Sequence, residues 1–105
     1  MATTPEGRMK SIIKDFLRSL EHCWFFMPAT HGYGVNGVPD LVGCYRGVFF
    51  AIEVKAPGKM KGVTALQQMQ ITAINQAQGW AIATDDLDRV VEMFRLIDIS
   101  LGVAA

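Results

Sequence analysis

The segment from Asp40 to Lys55 restricts the fold more than any other part of this 105-residue chain. Arg46-Gly47 separates two apolar runs, and a glycine at the second position of a two-residue loop marks a tight β-hairpin. Centring the turn there sets Tyr45 opposite Val48, Cys44 opposite Phe49 and Asp40 opposite Glu53. Directly opposed residues share one face of a sheet, with Cβ atoms roughly 4.5–5.5 Å apart. Lys55, two residues beyond Glu53, returns to that face. The second strand is almost continuously apolar through Val48-Phe49-Phe50-Ala51-Ile52 and again at Val54. Such a run suits a strand buried on both faces, inside a sheet covered by helices. A longer loop would slip the pairing by a residue and send these side chains to the other face, so everything that follows depends on this turn.

The hairpin brings two carboxylates and an amine together. Opposed carboxylates repel, and charges at the end of a buried strand are costly unless they are paired or bind a metal. A divalent cation removes the conflict, since Mg²⁺ takes oxygen ligands and is usually held by one or two carboxylates, waters and substrate phosphate. Lys55 would add positive charge beside a phosphate anion, or orient an attacking water. Taken separately, Asp40 as a turn cap and Glu53 and Lys55 as solvated charges need no such explanation. The combined pattern in this register favours a metal-dependent phosphodiesterase site.

The wording Gly37-Val38-Pro39-Asp40-Leu41, followed by Glu53-Val54-Lys55, resembles the PD-(D/E)XK nucleases, and within them the VRR-NUC branch of small nuclease domains. A helix opening with Glu6, and Thr64-Ala65-Leu66-Gln67 opening a helix that ends near Gly79, extend the likeness from about Glu6 to Thr84. Archaeal Holliday-junction resolvases share the core pattern. The resemblance implies that Asp40 and Glu53 are metal ligands, joined by the backbone carbonyl of Val54, and that Lys55 is the catalytic lysine. It makes Glu6 the helix-borne acid that completes the site and Gln67 the glutamine of the following helix. It implies Mg²⁺ or Mn²⁺ as cofactor, no organic cofactor, branched DNA such as a four-way junction or flap as substrate, and a homodimer with two sites. A phage source would fit the compact form.

The length is that of one domain, spanning 1–105, and half the residues are hydrophobic, enough for a core that an associating partner would help to cover. No charge-free apolar run reaches membrane-spanning length, and the N-terminus has no apolar signal-peptide core. Cys23 and Cys44 are too few for a disulfide framework and read as reduced thiols in or near the core of a cytoplasmic protein (host-cell cytoplasm if phage-encoded). With His22 and His31 they lack zinc-ligand spacing. The formal net charge is zero, which argues against a generic nucleic-acid coat protein. The charge is uneven: residues 1–61 carry eight Lys/Arg against five Asp/Glu, and residues 62–105 carry two against five. A basic half containing the site would favour phosphate approach, unless the asymmetry is chance in a small count.

Along the chain, Thr4 and Pro5 suit the cap and first position of a helix over 5–21, with Met9, Ile12, Ile13, Phe16, Leu17 and Leu20 at helical spacing. Glu6 extends that stripe, or simply complements the helix dipole. Trp24-Phe25-Phe26-Met27 reads as the first strand, and residues 29–38 as a glycine-bearing loop leading into Asp40. His31 and Tyr33 there would touch DNA or be ordinary loop residues, and the same two readings hold for Lys59 and Lys61 after the lysine. Thr64 to Gln67 is a capping-box pattern, so Gln67 either caps its helix or serves the site, one side chain being hard-pressed to do both. Leu66, Met69, Ala73 and Ala77 are expected to be that helix's buried side. Trp80 to Ala83 is the next strand, and Thr84 or Asp85 caps a final helix to about Ile97 with Val90, Val91, Phe94 and Ile97 apolar. Asp85, Asp86 and Asp88 are acids at a helix N-terminus, which need no metal. Ile99 to Val103 reads as an apolar tail.

The expected fold class is α/β, restriction-endonuclease-like, a central mixed sheet flanked by helices in the order αβββαβα. The expected function is hydrolysis of DNA phosphodiester bonds. The alternatives are a non-catalytic nucleic-acid or protein-binding module on the same fold, or a sequence-specific restriction-type enzyme, for whose groove-reading elements this chain has little room.

Overall fold

The computed structural model describes residues 3–29 and 34–103. Helix α1 (Pro5–Ser19) is followed by strands β1 (Cys23–Phe26), β2 (Leu41–Tyr45) and β3 (Val48–Val54), helix α2 (Ala65–Gln76), strand β4 (Trp80–Thr84) and helix α3 (Leu87–Ser100). A single 3₁₀ turn, Met60–Gly62, precedes α2. This is the expected order, and the chain is an α/β domain. The four strands lie in sequence order, β1, β2 and β3 antiparallel and β4 parallel to β3. Strand β3 is therefore internal, as its apolar run requires.

The hairpin turn forms where expected. Arg46 and Gly47 both adopt positive φ, 51° and 81°, as a two-residue turn matching the strand twist demands. The register pairs Tyr45 with Val48 and Cys44 with Phe49, and continues to Leu41 with Ile52. Odd and even positions of β3 therefore serve different layers. Phe50, Ile52 and Val54 join Leu41 and Tyr45 under α1 and α3, whose stripes supply Ile13, Leu17, Val90, Met93, Phe94 and Ile97. Phe94 is the hub, meeting Phe16, Tyr45 and Phe50 edge-on at 5.0–5.8 Å between ring centroids. On the other face Ala51 packs with Val42, Ala81 and Ile71 beneath α2.

Three expectations are corrected. The inward side of α2 is Gln67, Gln70, Ile71 and Ile74, whereas Leu66 and Met69 are about half exposed and Ala73 and Ala77 are open. The helix carries no charge to mark its wet side, so apolar spacing alone chose the wrong face. In α3, Met93 turns inward and Val91 outward, the cap is Asp86, and the helix runs on through Ile99 and Ser100, taking in the first two residues of the expected tail and leaving Leu101 to Val103 beyond it. Cys44 is exposed rather than near the core, because on that face α2 covers β4, Ala51 of β3 and Val42 of β2 but not β1 or the hairpin end of β2 and β3. Trp24, Cys44 and Phe49, in register across three strands, stand on this open half with Phe26. Half-buried Cys23 has its thiol pushed up to about 11 by burial and, secondarily, by Cys44, and so is a poor nucleophile.

At the sheet edge, the Asn75 side chain behaves like a short strand. Its amide donates to the Ala81 carbonyl at 3.0 Å and accepts from the Ala81 N–H at 2.8 Å. Both outward backbone groups of that β4 residue are thus paired, at the place where another strand would otherwise add. Replacing Asn75 with leucine is expected to cost about 1–2 kcal/mol and to lower the melting temperature by about 5–10 °C, read by circular dichroism. An unchanged melting temperature would show that the amide contributes nothing.

Candidate metal-dependent phosphodiesterase site

The site lies at the end of the sheet where β3 finishes and β2 begins, between the N-terminal turns of α1 and α2. Asp40 stands one residue before β2, and the register carries it opposite Glu53. Its Oδ2 accepts from the Val54 N–H at 2.8 Å, so a side chain supplies the next rung of the β2–β3 ladder. A strand residue's N–H and C=O point to the same side, so the Val54 carbonyl projects toward Asp40 as well. Gly37, with φ 77°, leads into this segment against the first turn of α2, where a Cβ would come 2.5 Å from the Leu66 carbonyl oxygen. Only glycine fits that approach.

Glu53 is 3 % exposed. Its Oε2 has two partners, the Gln67 amide at 3.0 Å and the Lys55 ammonium at 3.4 Å. Its Oε1 is buried with no hydrogen-bond partner among the described residues. Burial first, and the Asp40 carboxylate beside it second, push the Glu53 carboxyl up to about 7, against the opposing pull of Lys55. An orphaned buried carboxylate oxygen next to a second carboxylate is resolved by a proton shared between them or by a cation bound to both.

Gln67 does both jobs that the sequence set against each other. Its Oε1 accepts from the Thr64 N–H at 2.9 Å and completes the capping box, while its Nε2 reaches Glu53. The two ends of one amide suffice, because the first turn of α2 points at the site. Glu6 occupies the first turn of α1, and Lys10, one turn later, links it to Asp40 at 3.3 Å and 3.4 Å. Sequence reasoning missed Lys10. Its signal was present: Lys10 is four residues after Glu6 and three before the buried Ile13, on the same helical stripe.

Lys59 and Lys61 are exposed in the loop after Lys55. That loop is tied to the end of the neighbouring strand β4 by the Gly58 N–H donating to Asp85 at 2.9 Å. Asp86 caps α3, so neither acid is free for a metal cluster. His31 and Tyr33 lie outside the described residues. A groove of about 240 Å³ lined by Asn75, Trp80, Arg89, Glu92 and Met93 runs along β4, and none of the site residues borders it.

Among the described residues no three ligating side chains converge into an all-protein metal cage. The donors nonetheless suit Mg²⁺ or Mn²⁺. Asp40 and Glu53 offer hard carboxylate oxygens, one of them buried and unpartnered, and Mg²⁺ is usually held by one or two carboxylates with water and phosphate filling the rest of its shell. Comparison of the chain with family models, curated proteins and solved structures returns no match. No helix among the described residues is long and apolar enough to cross a membrane.

Proposed function

We propose that this chain is a Mg²⁺- or Mn²⁺-dependent DNA endonuclease with a restriction-endonuclease-like arrangement of its mixed sheet. The observation that carries this reading is Glu53 Oε1, buried and unpartnered beside Asp40, with Lys55 on the same face. A structural sheet gains nothing from that arrangement, whereas a phosphodiesterase needs it.

Bound there, the divalent ion would supply Lewis-acid chemistry, lowering the pKa of water and balancing charge on the scissile phosphate. Asp40 and Glu53 hold it, with the Val54 carbonyl beside them and Glu6 completing the site from α1. Gln67 fixes the Glu53 rotamer through Oε2 and so leaves Oε1 for the ion. Lys55 sits 12 % exposed with its ammonium anchored at 3.4 Å from Glu53, where it positions the attacking water and adds charge next to the phosphate. Lys59 and Lys61, exposed beyond it, follow the DNA backbone. Branched DNA is the substrate class that the sequence resemblance implies. A second copy of the chain covers the open sheet half bearing Trp24 (63 % exposed), Phe26 and Phe49, which gives two sites for two strands.

The test is cleavage of labelled single-stranded, duplex, flap and four-way-junction DNA with Mg²⁺, Mn²⁺ or EDTA, by wild type and Asp40→Asn, with the mass followed by light scattering. Metal-dependent cutting that disappears with Asp40→Asn is expected, fastest on a branched substrate. A folded, metal-loaded protein that cuts none of these DNAs would sink the nuclease reading and favour a binding module. A monomeric mass would remove the dimer.

A further inference from the structure

Lys10 has no part in the function just proposed, yet it holds the acid on which that function depends. One Asp40 oxygen, Oδ2, is committed to the Val54 N–H. The other, Oδ1, is the oxygen open to a cation, and the Lys10 ammonium lies 3.4 Å from it. The same ammonium is 3.3 Å from Glu6 Oε2, so it bridges two of the three proposed acids. Its side chain is 25 % exposed, and its α1 stripe leads to the buried Ile13 and Leu17, so it is anchored rather than free in solvent.

We infer that Lys10 is a built-in counter-cation, occupying the cation side of Asp40 in the metal-free protein and competing with the divalent ion for it. The inference rests on the metal-site reading above. The charges give the direction. Glu6, Asp40 and Glu53 are three carboxylates, and Lys10 and Lys55 two ammonium groups, so with all ionised the cluster is −1, and −2 without Lys10. A more negative, less obstructed site attracts a divalent ion more strongly. A lysine that only braced α1 through its pair with Glu6 would give the opposite or no change, since losing a helix pair does not improve a binding site. Lys10 thereby keeps the acids from repelling one another before the ion arrives, and sets how much free metal the protein needs.

The experiment is calorimetric titration of the DNA-free full chain with Mn²⁺ at fixed pH and ionic strength, for wild type, Lys10→Gln, Lys10→Met, Lys10→Arg and Asp40→Asn, each checked for folding by circular dichroism. Lys10→Gln and Lys10→Met are expected to bind Mn²⁺ about three- to tenfold more tightly than wild type, with Lys10→Arg near wild type and Asp40→Asn without measurable binding. Unchanged or weaker binding by whichever neutral variant is folded, with wild type binding normally, overturns the role of Lys10 and leaves the metal site standing. Wild type that gives no more heat than Asp40→Asn overturns the metal site, and the role of Lys10 with it.

Discussion

Replacing Lys55 with methionine is expected to lower metal-dependent DNA cleavage by about 10²- to 10⁴-fold, with Mn²⁺ binding largely retained. Methionine keeps most of the apolar stem, which matters because the side chain is only 12 % exposed beside Glu53. It removes the charge that would meet the phosphate and the N–H groups that would orient water. The loss should fall on turnover at saturating metal, because Asp40 and Glu53 remain. Lys55 also opposes the upward shift of the Glu53 carboxyl, so its removal makes Glu53 harder to ionise. The comparison therefore belongs above pH 7 and at saturating Mn²⁺, since a bound cation favours the ionised form of Glu53 in both proteins. Single-turnover cleavage equal to wild type under those conditions would remove Lys55 from the chemistry. A fall caused only by lost Mn²⁺ binding would make it a residue that tunes the ligands.

The metal-free protein should lose stability as the pH rises from about 5 to 8, and Glu53 is the cause. The ordinary glutamate value is 4.5, and in the folded protein burial and Asp40 raise it to about 7. Between those values the folded chain binds more protons at Glu53 than the unfolded chain does, so unfolding becomes easier with each step in pH. The stabilisation is complete below the unfolded value and lost as the pH passes the folded one. The change is on the order of 2–3 kcal/mol, or roughly 10–15 °C in melting temperature for a domain of this size. Glu53→Gln removes this titration, so its stability should be flatter across the same window. Added Mn²⁺ should flatten the wild-type profile too, since a bound cation holds both carboxylates ionised. Parallel slopes for wild type and Glu53→Gln, measured by chemical denaturation at several pH values, would count against a raised Glu53.

The parts of this molecule that were legible in the sequence are those where one local rule had no competitor. Arg46-Gly47 permits one tight turn, and that turn sets the register that carries Asp40 to Glu53 and makes β3 internal. Thr4-Pro5 and Thr64 mark helix starts that the structure keeps. Legibility failed where two elements had to be known together. The dry side of α2 depends on which half of the sheet it covers, and with two glutamines facing in and Leu66 and Met69 facing out, periodicity pointed away from the sheet. Lys10 looks like any surface lysine until α1 is laid across the start of β2. Gln67 looked forced to choose only because its two amide ends were not yet placed against two neighbours.

The bond from the Val54 N–H to Asp40 gives the hairpin's last rung and the proposed ligand a single atom set in common. A substitution at Asp40 that removes the accepting oxygen would at the same time fray the end of the inner strand on which both layers of the core are built. Loss of the proposed activity and loss of fold would be coupled for every such change, whereas asparagine, which keeps an accepting oxygen without the charge, would separate them. An accepting oxygen at this position serves the cohesion of the sheet, and its negative charge would serve the proposed chemistry.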